Sequence, residues 1–233
     1  MKIVKYTVLV LATVILMKLP VIGAFLRVID TMIHESGHAL AVLMMSGKVY
    51  YIELFANAEG VTLTGSRSYL GGLITSIAGY VFSSLAVVFF AYLWRWKKDK
   101  VILGVLFLFS VVNLLLWVRN FYGILWLIIF SLLLFFTMRM KDGKKLSSIT
   151  FSLYVLLLIS SVVSAFDILA LSILAPDGAG DAANLARMTG IPAIVWGLFF
   201  FAQAAFLGVL SVMAVIGKRS LKTRDRHLTG SFQ

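Results

Sequence analysis

The segment DTMIHESGHALAVLMM, residues 30–45, carries Asp30, His34, Glu35 and His38 within nine positions of an otherwise apolar run. His34-Glu35-Ser36-Gly37-His38 is an HExxH pattern. On a helix, positions four apart share a face, so both imidazoles can reach one metal ion. Glu35 lies on the neighbouring part of that face. It can take a proton from water as general base and return it to a leaving amine. Two imidazoles and a carboxylate, with one position left open, are the donor set of a catalytic zinc ion. In a soluble protein a bare HExxH is a weak signal. Within a bilayer each ionisable group costs roughly 2.5–3.5 kcal/mol on insertion scales, and three in one helical turn need compensation that a divalent cation supplies. The plainer reading is a polar cluster pairing with another helix, and that penalty weighs against it.

The neighbours of the motif carry less. Asp30 lies one turn earlier on the same face. It fits either a carboxylate that orients an imidazole or a hydrated group near the helix entrance, and the second is the simpler expectation. Ser36 and Gly37 are small enough to admit another backbone. His227, in the basic tail, reads as solvated.

A catalytic zinc site needs a third protein ligand, and the chain has no cysteine and only ten acidic residues. Asp99 and Asp142 lie in basic loops, Asp225 in the tail, and Glu53 and Glu59 in a segment that reads as a β-hairpin. Asp167, Asp177 and Asp181 remain. Asp167 falls inside an apolar segment, where a carboxylate is a functional candidate by default. It lies about seven residues before the end of its span, roughly 10 Å, and His34 and His38 lie about ten residues before the end of theirs, roughly 15 Å. Those spans run in the same direction, so the levels match. Asp167 therefore ranks first. Asp181 is the rival, on a loop that can dip inward; its plainer role is a helix N-cap. Asn184, three positions on, is a weak candidate for a hydrogen bond to substrate or ligand.

The elements that must position these groups are apolar helices. The chain of 233 residues is 61% hydrophobic and 13% charged, against about half and a quarter in soluble domains, and its mean hydropathy is +1.00. The expected fold is an all-α polytopic membrane protein with about seven transmembrane helices, near 3–19, 21–45, 69–94, 101–117, 121–138, 146–174 and 191–216. Residues 48–64 are rich in Val, Tyr, Ile, Phe and Thr with Asn and Gly centrally, the pattern of a β-hairpin. Residues 175–190 open as a Gly-rich turn and continue as a short helix. Residues 1–217 read as one integral membrane domain, and 218–233 as a basic, disordered tail. The net charge of +11 sits in short clusters between apolar runs, the mark of topology-setting loops, not of a nucleic-acid surface.

HESGHALAVLMMSGKV, then the strand-like NAEGVT, then GGLITSIAGYVFSS, together resemble the site-2-protease family of intramembrane zinc metallopeptidases. The compact B-like branch of bacteria and plants is the most similar. SAFDIL and GDAANLARMTG resemble that branch's later aspartate segments. The resemblance covers about residues 28–200. It implies peptide-bond cleavage within or beside the bilayer, His34 and His38 as zinc ligands, and Glu35 as the catalytic glutamate. The family's third ligand is an Asp in an NPxxDG-type setting. Here VNLLLWVRNFYG keeps Asn113 but has neither Pro nor Asp, which moves the expectation to Asp167. In the wider family a hairpin near the site pairs with unwound substrate, and residues 48–64 are similarly placed.

The expected function is an intramembrane zinc metalloprotease, with Zn2+ as cofactor, a membrane-protein or peptide substrate, the lipid bilayer as environment and a bacterial cell membrane as location. The alternative is a zinc-binding membrane protein without protease activity, a transporter or a regulator. A transporter needs polar residues along several spans, and the third and fifth spans are almost free of them. An inactive relative usually loses Glu35 or a histidine. Sidedness is divided. In a seven-span chain the basic clusters at 95–100, 139–145 and 218–226 share one side, which the positive-inside rule makes cytosolic, so the site opens outward. The family resemblance implies a site nearer the cytosol, and Lys2 and Lys5 side with it.

Overall fold

The structure is a computed structural model that describes the backbone of residues 2–228 and the side chains of residues 4–217. The expected tail at 218–233, with Asp225 and His227, lies outside the residues whose side chains are described. The elements are α1 (Lys2–Lys18), α2 (Pro20–Met44), β1 (Lys48–Leu54), β2 (Gly60–Gly65), α3 (Tyr69–Arg95), α4 (Asp99–Val112), a π-helical turn (Asn113–Trp117), α5 (Phe121–Met138), α6 (Gly143–Leu174), α7 (Gly180–Thr189) and α8 (Ala193–Leu228).

The expected count of seven crossings is corrected. Five helices are long and apolar enough to cross a membrane, and α1 with α2 adds a sixth only as one bent pair. The two meet at 105°, short of the near-reversal that successive crossings require. The cause is local. A proline disfavours helical backbone in the residue before it, and Leu19 is extended at φ −71°, ψ 132°. Pro20 then opens α2, where its missing N–H costs nothing. Gly23 admits the turn: a Cβ there would lie 2.1 Å from the Met17 carbonyl oxygen.

Between lipid-facing helices the hydrophobic effect gives little net drive, so close packing of small residues and buried hydrogen bonds carry association. The α2–α3 contact follows this rule. A Cβ on Gly37 would lie 2.9 Å from the Ala78 carbonyl oxygen and 2.7 Å from Phe82 Cβ, so only glycine allows the two helices to approach so closely. Helix α3 also packs on α6 and α8, where Ser84 and Ser161 share a hydrogen bond of 3.0 Å. Asp142 caps α6 by accepting from the backbone N–H groups of Lys144 and Lys145; these bonds hold its carboxyl below the usual aspartate value. The Gly-rich turn expected after α6 leads into α7, which packs on α3 and α8.

The hairpin forms where the sequence places it, one residue longer. Ile52 pairs with Thr62 and Leu54 with Gly60. The other edge of β1 is covered. Arg119 N donates to the Ile52 carbonyl at 3.1 Å, and the Asn120 amide brackets Leu54, accepting from its N–H at 3.1 Å and donating to its carbonyl at 2.6 Å. Among the described residues no strand pairs with the outer edge of β2.

Candidate metal centre

Helix α2 presents His34, Glu35 and His38 toward α3, α7 and β2. Glu35 and His38 are buried, at 5% and 7% exposure, and His34 is half-buried. The Nε2 atoms of His34 and His38 are 3.0 Å apart. Asp181 Oδ2, from the first turn of α7, lies 3.3 Å from His34 Nε2 and 3.2 Å from His38 Nε2. All three donor atoms fall within 4.8 Å of one another. Donors around a tetrahedral zinc with bonds of ~2.0–2.1 Å sit ~3.3–3.4 Å apart, so the triangle fits a divalent cation with little adjustment.

Three further contacts favour that reading. His38 Nδ1 donates to the Thr75 carbonyl at 2.7 Å, which turns the Nε2 lone pair toward the cluster, as in metal-bound histidines. The His34 ring packs edge-on to Tyr80 at 4.6 Å, and Tyr80 stacks on Phe200 at 4.5 Å, which fixes the imidazole plane. Gly79 leaves space beside the nitrogens: a Cβ there would lie 2.4 Å from His34 Nε2 and 2.5 Å from His38 Nε2. Burial would raise the Asp181 carboxyl, but His38 and His34 hold it well below the usual carboxylate range.

Glu35 is held outside this triangle. Thr62, on β2, donates to its Oε2 at 2.6 Å. Gly60 leaves room for the same side chain, since a Cβ there would lie 2.5 Å from Glu35 Oε1. The next residue, Ser36, accepts from Asn113 Nδ2 at 2.8 Å. Asn113 begins the π-helical turn and is buried. Such turns recur at functional sites.

Of the two candidate third ligands, the structure brings Asp181 to the imidazoles and leaves Asp167 exposed on α6, outside the group. Similar depth along parallel helices leaves open which way a side chain points, and Asp167 stands exposed on α6. Asp181 is not an N-cap: Ala179 holds that position, and the carboxylate meets imidazoles instead of backbone N–H groups. Asp30 is not hydrated at a helix entrance either. It is 5% exposed and accepts a hydrogen bond from Ser83. Asn184 is exposed and hydrogen-bonded to Arg187. Thr62, Thr75, Gly79 and Tyr80 carried no sequence signal of their own, because their roles exist only once α3 and β2 lie against α2.

No curated protein and no solved structure matches the chain. A protein-family model does, and it agrees with the site-2-protease-like resemblance carried by the HExxH helix and the later aspartate segments. The long apolar helices are those of an integral membrane protein, and the chain belongs to the Peptidase M50B-like family, whose model matches residues 6–211.

Proposed function

We propose that this protein is a zinc-dependent endopeptidase that cleaves transmembrane or membrane-adjacent segments, with His34, His38 and Asp181 as ligands and Glu35 as general base. The convergence of three donor atoms from α2 and α7 on one point carries the reading. A zinc ion held there supplies Lewis-acid polarisation of a carbonyl and lowers the pKa of water toward ~7.

This chain's own residues account for the rest. Glu35 takes the proton at its carboxylate and delivers it to the leaving amine. Thr62 keeps that carboxylate in one rotamer through the bond to Oε2. A helical substrate must unwind first, since its carbonyls are already hydrogen-bonded. The outer edge of β2, which pairs with no strand among the described residues, offers the unwound segment a strand to pair with, beside Thr62 and therefore beside Glu35. The covered edge of β1 leaves β2 as the receiving strand.

Metal analysis of purified wild-type, Asp181→Ala, Asp167→Ala and Glu35→Gln protein tests this. The expected result is stoichiometric zinc in the wild type, Asp167→Ala and Glu35→Gln, loss in Asp181→Ala, and no cleavage of a tethered substrate by Glu35→Gln. Wild-type protein that binds no zinc, or Glu35→Gln that cleaves at the normal rate, refutes the assignment.

A further inference from the structure

We propose that the site selects an extended substrate segment carrying an acidic side chain about three residues from the bond to be cut, with Arg187 as the residue that reads the carboxylate. The proposal rests on the peptidase reading above and adds a substrate class to it.

A cleft of about 290 Å³ opens between β2, the start of α3 and α7, lined by Thr64, Ser66, Thr75, Ser76, Asn184 and Arg187 among others. Its inner end adjoins the candidate metal centre. Thr75 supplies the carbonyl that accepts from His38 Nδ1 at 2.7 Å. Thr64 stands two positions after Thr62, so both side chains leave the same face of β2, and Thr62 holds Glu35. Asn184 and Met188 follow Asp181 by three and seven positions, so they continue the helix face that carries Asp181. Strand β2 and helix α7 are thus two walls of one trough, and each begins at a residue of the site.

The outer end is tied down and positive. Tyr69, in the first turn of α3, donates to the Met188 carbonyl at 3.0 Å, which joins the start of α3 to the end of α7. Arg187 Nη2 donates to Asn184 Oδ1 at 2.5 Å, which steadies the exposed guanidinium. Among the described residues no carboxylate lies within ion-pair distance of Arg187. Lys48 and Arg67 are exposed at the open end of the hairpin, where Lys48 pairs with Gly65, whereas Glu53 and Glu59 lie toward its other end. A guanidinium fork beside hydroxyls and an amide is a donor set for a carboxylate.

The spacing follows from helical and strand rise. Arg187 comes six residues after Asp181, ~9 Å along α7 at 1.5 Å per residue. A peptide laid along β2 advances ~3.3 Å per residue. The side chain it brings to Arg187 therefore belongs about three residues from the carbonyl under attack.

The test uses full-length, detergent-purified protein and a tethered substrate of fixed sequence. Each of the four positions on either side of the scissile bond is made Glu, Gln or Lys in turn. Wild-type protein is expected to cleave the Glu form faster than the Gln form at one position two to four residues from the bond, on the order of fivefold, and to disfavour Lys there. Arg187→Gln should erase that difference and Arg187→Glu should turn it in favour of Lys, with zinc content and gel-filtration profile as in the wild type. Binding of the same peptides to Glu35→Gln protein should show the same charge preference, which reads recognition without catalysis. Equal rates and equal binding for Glu, Gln and Lys at every position, or a preference that Arg187→Glu leaves in place, overturn the proposal. Arg187-dependent binding of the Glu form with no cleavage by the wild type would keep the carboxylate site and refute the peptidase reading; cleavage with no charge preference would do the reverse.

Discussion

Gly79→Ala places a methyl group against the His34 and His38 nitrogens of the proposed metal site, and its effect follows from the geometry. The new Cβ would lie 2.4 Å from His34 Nε2, 2.5 Å from His38 Nε2 and 2.6 Å from His34 Cε1. Ordinary non-bonded contact is about 3.5 Å, so at least one imidazole must retreat by about 1 Å. Metal–ligand distances tolerate about 0.2 Å, so the site loses a ligand or the ion. Relief by separating the helices is opposed by the close approach of α2 and α3 at Gly37. Changes that merely disturb residues behind metal ligands cost 10–100-fold. Direct displacement should reach the upper end, on the order of 100-fold in zinc affinity or about 2.8 kcal/mol at 1.4 kcal/mol per tenfold. Chelator competition on detergent-purified protein reads this affinity, with circular dichroism and gel filtration to verify folding. Gly104→Ala, where nothing lies within 4 Å of the added Cβ, is the matched control and should bind zinc as the wild type does. Folded Gly79→Ala protein with wild-type zinc affinity would refute the claim that these two nitrogens hold the ion.

Other outcomes follow from single contacts. Thr62→Val removes the hydrogen bond to Glu35 Oε2; bonds to charged groups contribute about 1.5–3 kcal/mol, so cleavage should slow roughly 10- to 100-fold with zinc content unchanged, and a drop in zinc would assign Thr62 to metal binding instead. Asn120→Ala strips both partners from the buried Leu54 backbone and should cost about 1–3 kcal/mol per orphaned group, seen as a lower thermal midpoint in detergent; an unchanged midpoint would mean that the hairpin is held elsewhere. Asp30→Asn preserves shape at the Ser83 contact and lies outside the donor triangle, so zinc stoichiometry should survive; zinc loss would make Asp30 a ligand.

The amino-acid sequence by itself determined the membrane class, the HExxH helix, the hairpin and the short list of aspartates. Composition and the four-residue spacing act locally, and a bilayer charges enough for each ionisable group that His34, Glu35 and His38 must share a purpose. The α1–α2 bend was also latent in it, as an extended residue before Pro20, yet a window of hydropathy reads two apolar runs as two crossings because it carries no direction. That Asp181, and not Asp167, lies beside the imidazoles is visible only in the tertiary structure. Helical rise predicts depth, whereas the face a side chain presents depends on how α6 rotates against α3 and α8, and on α7 folding back to bring Asp181 over His34 and His38. The same holds for Thr62 and Gly79, ordinary residues until β2 and α3 pack against α2.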